Sequence, residues 1–324
     1  EVTESEFQWA FGVVQTNLFT IYDYDLKEGQ LYYGAGLYLR SSTFDHSCLP
    51  DLKRVLRGAA RFMSLSGPTE ASSTVQLQSL KTSYHVRSTV SFTEERRRFL
   101  SDHYYFHCEC ALCLDVEMDE VKRNSLAFDC PACEKDRLVL SANNKQLRCY
   151  SCRFEKSVET EKEKEAVKTL CRLRDIWSGL QQPDPNAHPP TVVREAELLL
   201  DSTRNVYLLH LREEALQQAE QLYKLAPSPK IYNELIEFGV PVEQSYSFYG
   251  DLPGSSAAAV LCTKLGEWLA VKSSRNALRY YTKARLLWTE LCGADHHIVQ
   301  EMSERVKDIR RLVDRMDLEK SKNE

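Results

Sequence analysis

Cysteine spacing constrains this chain more than any other feature. Four of its eleven cysteines, Cys130, Cys133, Cys149 and Cys152, form a C-x2-C-x15-C-x2-C array, and Cys108, Cys110 and Cys113 form a C-x-C-x2-C triplet. Close Cys-x-x-Cys pairs without a secretion signal point to metal thiolates in a reducing compartment, so cytoplasm or nucleus is the expected location. The four-cysteine array has the spacing of a tetrahedral four-thiolate zinc site. Between its pairs, Leu138-Val139-Leu140 and Gln146-Leu147-Arg148 suit a two-stranded ribbon turning at Asn143-Asn144, expected as a structural staple. The triplet is one ligand short of a closed tetrahedral site.

Composition narrows the function classes. At 324 residues the chain is long enough for about two domains. Apolar residues at 43% and charged ones at 27% are ordinary for a globular protein. A net charge of −5, with no basic stripe laced with aromatics, disfavours direct nucleic-acid binding. No run approaches the roughly 18 apolar residues of a membrane span, so no membrane association is expected. The opening Glu1-Val2-Thr3 suggests a fragment or processed form. P-loop, nucleophile-elbow and His-Glu-x-x-His motifs are missing.

Periodicity predicts a helix around Phe7, Trp9, Phe11 and Val14, then strands at 17–22 and 31–33. Shorter strand runs follow at 61–65 and 75–84, with a loop at 66–73 between them and a helix capped by Thr93 over 94–100. Beyond residue 156 the pattern becomes helical: 161–177, 192–200, 208–225, 257–271, 275–291 and 297–316, the last with Asp295 as N-cap. Ala215 and Ala219, and Ala277 and Ala284 with Tyr280 and Tyr281, have spacing like tetratricopeptide helix pairs, with an irregular bundle as the alternative. Glu161 to Glu165 reads as a solvated helix face, and Cys171, Cys262 and Cys292 as core thiols. Gly34-Ala35-Gly36 reads as a close backbone approach.

Several motifs stand in one order: Asp45-His46-Ser47-Cys48-Leu49-Pro50-Asp51, Ser83-Tyr84, Glu95-Arg96-Arg97, and Tyr104-Tyr105-Phe106-His107-Cys108-Glu109-Cys110-Ala111-Leu112-Cys113. Asn17-Leu18-Phe19-Thr20-Ile21 and Gly34-Ala35-Gly36-Leu37-Tyr38 precede them. This order resembles the SET-and-MYND (SMYD) branch of SET-domain lysine methyltransferases over roughly residues 7–113. The branch has Asn where Asp45 and Asp51 stand, and Gly-Glu-Glu-Leu near Gln78-Ser79-Leu80.

The resemblance implies an α+β fold with the C-terminal part of a SET domain and its post-SET zinc arm in 1–114. An inserted zinc ribbon would occupy 115–156, and a tetratricopeptide-like all-α array 157–324. It also implies that early strands with a Gly-x-Gly cofactor cradle, and a MYND finger, lie upstream of Glu1. Cys48 would complete the triplet's zinc site; read from the residues alone, His103 or His107 could serve instead, and Cys48 could be a small buried hydrophobe. Asp45 and His46 would contact S-adenosylmethionine, while Tyr84 and Tyr104 would orient the methyl and wall the lysine channel. The implied activity is methyl transfer from that cofactor to a lysine of a histone or other protein. The alternative is a decayed SET-domain scaffold that binds partner proteins through its helical array.

Overall fold

The computed structural model describes residues 2–25, 29–39, 41–57, 59–64, 80–85, 89–178, 189–249, 256–272 and 274–323. The expected loop at 66–73, and the expected strand over 75–84 as far as residue 79, lie outside the described residues. Two compact units result: residues 1–114 with 251–263 and 278–324, and residues 115–250 with 264–277.

The first unit opens with helix α1 (Glu4–Asn17), strand β1 (Leu18–Asp25) and strand β2 (Gly29–Leu37). A capping box starts α1: the Glu6 amide donates to Thr3 Oγ1 at 3.2 Å and the Thr3 amide to Glu6 Oε2 at 2.8 Å. The Thr3 backbone bond, then its hydroxyl, hold the Glu6 carboxyl below its ordinary pKa. α1 forms where the sequence predicts a helix, but its Phe7, Trp9 and Phe11 are exposed rather than buried. β1 and β2 pair antiparallel with an irregularity between Ile21 and Tyr22, and Gly34 is the partner of Ile21. Gly34 has φ 147°, and a Cβ there would meet nothing within 4 Å, so backbone conformation rather than close approach explains this glycine.

β3 (Leu52–Arg57) and β4 (Ala59–Ser64) form a second hairpin, followed by α2 (Thr93–Tyr104) and the single turn α3 (Ala111–Leu114). Among the described residues of the expected strand at 75–84, only Thr82 makes bridges, to His46 and Leu52. The N-cap of α2 is Phe92, not Thr93, and the Phe92 amide donates to Glu95 Oε2 at 2.9 Å. α2 ends at Tyr105, whose left-handed φ of 61° turns the chain out of the helix.

α9 (Ser256–Ala270), α10 (Ser274–Cys292) and α11 (His297–Asn323) close the sequence. In the first unit's share of these helices Trp288 is fully buried, and its indole N–H donates to Thr263 Oγ1 at 3.0 Å. Cys262 and Cys292 are buried thiols. His296 rather than Asp295 caps α11: its Nδ1 accepts from the Ile298 amide at 3.3 Å. Among the described residues no helix is long and apolar enough to cross a membrane.

The second unit begins with α4 (Val116–Asn124), absent from the sequence reading. An antiparallel sheet follows, ordered β5 (Ser125–Asp129), β6 (Arg137–Leu140), β7 (Gln146–Arg148) and β8 (Glu155–Ser157). The expected two-stranded ribbon is therefore the centre of four strands. Its turn lies at Asn143-Asn144, with Asn144 at φ 57°. α5 (Glu161–Trp177) matches its expected span, and a capping box begins it. Glu163 is buried there, its side chain accepting from Lys156 and the Glu159 and Thr160 amides, so this position is not a solvated face. Cys171 is partly exposed and accepts from Asn144 Nδ2 at 3.6 Å.

α6 (Pro189–Glu197) and α7 (Val206–Leu225) start at a proline and at an Asn205 cap, and Ala215 and Ala219 are buried on α7. α8 (Pro229–Phe248) is absent from the sequence reading; Pro227-Ser228-Pro229, which marks a break between helices in the sequence, stands at its start. Pro229 occupies the first turn, where its missing N–H costs nothing. Pro241 sits inside the helix, at an intrinsic cost of about 3 kcal/mol. Burial of Leu235, Phe238, Val242 and Tyr246 along one face offsets it.

Two candidate metal centres and a tyrosine pair

The first centre forms in the first unit. The loop after the Ser41–Thr43 turn is pinned by backbone bonds to residues 81 and 82: Thr82 N–H to the Asp45 carbonyl at 2.9 Å, Ser47 N–H to the Thr82 carbonyl at 3.0 Å, and Asp51 N–H to the Lys81 carbonyl at 3.0 Å. The Asp51 carboxylate accepts from the Lys81 amide at 3.1 Å, which gives this residue a structural task. Pinned in this way, Cys48 is fully buried with its sulfur 3.9 Å from that of Cys108 and 3.6 Å from that of Cys113. All four sulfurs of Cys48, Cys108, Cys110 and Cys113 lie within 4.8 Å of one another. His103 and His107 are exposed and fall outside this donor set; His103 stacks on Phe99 at 4.3 Å.

Two arginines of α2 hold the arm. Arg96 is fully buried, donating to the Ser91 carbonyl, to Thr93 Oγ1 at 2.8 Å and to the Leu112 carbonyl at 3.1 Å. Arg97 donates to the Cys108 carbonyl at 3.0 Å and the Cys113 carbonyl at 3.3 Å. The sequence shows Arg96 and Arg97 only within a Glu-Arg-Arg helix motif and carries no signal for the carbonyls they hold.

The four thiols cannot all ionise alone. The Cys113 hydrogen bond pushes the Cys48 thiol up, with burial adding to it, whereas the Cys48 bond, and then Arg96, pull Cys113 down to about 4. Burial raises Cys110, but the Cys48 and Cys113 amides outweigh it. A four-thiolate set with N–H donors aimed at sulfur suits zinc.

The second centre belongs to the ribbon. Cys130, Cys133, Cys149 and Cys152 present sulfurs within 4.8 Å of one another, with Cys130 to Cys152 at 3.5 Å and Cys133 to Cys149 at 3.7 Å. Its two knuckles repeat one geometry. Glu134 N–H donates to the Cys130 carbonyl and Arg153 N–H to the Cys149 carbonyl, each at 2.9 Å, and both donors are left-handed, at φ 54° and 62°. Burial raises the Cys130 thiol, but the Ala132 and Cys133 amides bring it down to about 7; burial drives Cys149 up to about 12. This donor set also fits zinc. Around it, Ser151 Oγ donates to Asp136 Oδ2 at 2.6 Å, and Arg204 pairs with the same carboxylate.

Beside the first centre stands an aromatic cluster. Tyr84 and Tyr104 approach to 4.8 Å between ring centroids, and Phe106 meets Tyr84 edge-on at 6.4 Å. The Tyr84 hydroxyl donates to the Phe44 carbonyl at 2.6 Å. His46 lies 5.1 Å from Tyr84, ring to ring, and burial lowers its pKa to about 4. Asp45 is exposed at the head of this loop.

Known proteins similar to this chain include two methyltransferases. The mouse histone-lysine N-methyltransferase SMYD3 is 31% identical over 110 residues, which cover 34% of this chain and 23% of that protein. The zebrafish N-lysine methyltransferase SMYD2-B is 22% identical over 307 residues, 92% of this chain and 59% of that protein. These likenesses, with the two thiol clusters, support an SMYD-like family. No family model matches the chain. The matches thus span less than two thirds of either relative's length.

Proposed function

We propose that this chain carries part of a protein-lysine N-methyltransferase, acting with S-adenosylmethionine on a lysine of a histone or another protein. The approach of Tyr84 and Tyr104 to 4.8 Å beside a four-thiol centre carries this reading. The cofactor would supply a methyl group on a sulfonium; the protein's task is to align it with the lysine amine. Tyr84, its proton committed to Phe44, keeps oxygen lone pairs that can accept weak C–H···O contacts from the methyl or a bond from the amine. The Tyr104 ring offers a face to a passing ammonium. The exposed Asp45 carboxylate suits the cofactor's ammonium, and His46 would meet the cofactor through its backbone.

In this reading residues 1–114 are SET-like, 115–156 a stapled insertion and 157–324 a tetratricopeptide-like array. The second reading, a scaffold binding partners through that array, is favoured by Asp45 standing where the SMYD motif has Asn. Titration of the zinc-loaded full-length protein with S-adenosylmethionine by calorimetry separates the two. Binding, with labelled methyl passing to histone or other lysine substrates, supports the enzyme; Tyr84→Phe then leaves cofactor affinity nearly intact and cuts turnover at least about tenfold, ~1.4 kcal/mol. Absence of cofactor binding supports the scaffold.

A further inference from the structure

Both ring nitrogens of His46 are occupied within the protein. Nδ1 lies 3.0 Å from the Tyr84 backbone nitrogen, and Nε2 lies 3.1 Å from Cys48 Sγ. A backbone amide can only donate, so Nδ1 must be the acceptor and carry no proton. In a neutral imidazole the proton then sits on Nε2, aimed at the Cys48 sulfur. The four sulfurs that lie within 4.8 Å of one another do not include this imidazole, so the ring stands behind the donor set rather than in it. The ring is fixed from its sides as well, 5.1 Å from Tyr84 and 5.8 Å from Phe106. His46 and Tyr84 are thus joined by a side-chain bond across 38 residues, in addition to the backbone bridge at Thr82.

We infer that His46 is a positioning residue that couples the first metal centre to Tyr84, its Nε2–H donating to the metal-bound Cys48 thiolate while its Nδ1 holds the Tyr84 amide. A thiolate is a stronger acceptor than a thiol, so metal binding at Cys48 tightens the grip on His46 and hence on the Tyr84 backbone. Loss of the metal loosens Tyr84 through the same two bonds. The inference rests on a metal at the first centre and is independent of methyl transfer.

The wild-type protein provides the first test. Loaded with cadmium-113 and labelled with nitrogen-15 at its eight histidines, it should show one ring locked as the Nε2–H tautomer, whose proton couples to cadmium across the N–H···S bond. An Nδ1–H tautomer for His46, or direct nitrogen–cadmium coupling, overturns the inference. Two variants then separate the two bonds. His46→Gln keeps a donor at the ε position, and His46→Asn an acceptor at the δ position.

The Asn variant should bind metal at the first centre about 10–100-fold more weakly and retain exchange protection at the Tyr84 amide. The Gln variant should retain metal but lose that protection, and the ribbon centre should be unchanged in both. Equal losses in the two variants would make His46 a packing residue only, and no change in either would remove it from the coupling altogether.

Discussion

The two thiol clusters have the same donors and opposite architectures. In the ribbon, the close sulfur pairs are separated by 16 and 22 residues, and both knuckles repeat a left-handed residue after Cys-x-x-Cys. At the first centre Cys48 reaches across 60 and 65 residues to Cys108 and Cys113. Closing the longer loop costs roughly 1 kcal/mol more chain entropy, by the logarithmic dependence on loop length. The ribbon is thus a local staple whose backbone already suits the metal. The first centre is a tertiary fastening, dependent on the pinned loop at 45–51 and on the Arg96 and Arg97 clamp.

The largest expected effect tests whether the centres are independent. Cys48→Ser should lower metal content from two zinc ions per chain to one, and hydrogen exchange should rise at residues 105–114 and at Tyr84. Cys133→Ser should also lose one zinc ion, but exchange should rise within β5–β8 and stay unchanged near Tyr84. Native mass spectrometry counts the metals. If either substitution emptied both centres, the contrast between staple and fastening would be lost.

A smaller effect probes what stands in for local geometry at the first centre. Arg96→Met strands the Leu112 and Ser91 carbonyls in a buried site and should destabilise the zinc-loaded protein by about 3 kcal/mol or more. Arg97→Ala removes two carbonyl contacts from a partly exposed position and should cost about 1–2 kcal/mol. Denaturant midpoints followed at the arm check both values. Equal costs would mean that Arg96 acts no differently from its neighbour.

The same contrast explains what could be read in the sequence. The ribbon was legible from spacing because its four ligands and turn are local, and Asn144 takes the left-handed conformation that Asn tolerates. The first centre was legible only through resemblance, since nothing in the triplet itself selects Cys48 over His103 or His107. α8 has no counterpart in the sequence reading, where Pro227-Ser228-Pro229 and Pro253-Gly254 mark breaks on either side; Pro241 also opposes a helix, and packing of Phe238 and Val242 overrides that propensity here. Glu163 reads from sequence as a solvated charge and Arg96 only as a member of a Glu-Arg-Arg motif, since the carbonyls and amides they satisfy are set by tertiary structure.

Glu163 gives a third test, on the helix that follows the ribbon. Burial raises its carboxyl, but the Lys156 ammonium and the Glu159 and Thr160 amides outweigh it, bringing the pKa down to about 2. Its folded value lies below the unfolded value of roughly 4.3, so its contribution is present above that pH and is lost as pH falls toward 2. Glu163→Gln should destabilise α5 by about 1 kcal/mol at pH 7, on the scale of a lost cap. A carbon-13 titration of Glu163 with a midpoint near 4.3 would contradict this.

The smallest effect compares the backbones of the two centres directly. Glu134, in the ribbon, and Tyr105, at the head of the first centre's arm, are both exposed and left-handed, at φ 54° and 61°. A left-handed L residue costs about 1–2 kcal/mol that glycine avoids, while glycine adds roughly 0.5–1 kcal/mol of unfolded-state entropy. Glu134→Gly should therefore raise stability by about 0.5 kcal/mol, because that side chain is exposed and the knuckle geometry is fixed locally. Tyr105→Gly should gain less, or nothing, since a more flexible hinge makes it harder to deliver Cys108, Cys110 and Cys113 to a distant Cys48. Thermal midpoints of the zinc-loaded variants check the pair; a larger gain at Tyr105 than at Glu134 would mean that the arm is as locally determined as the ribbon.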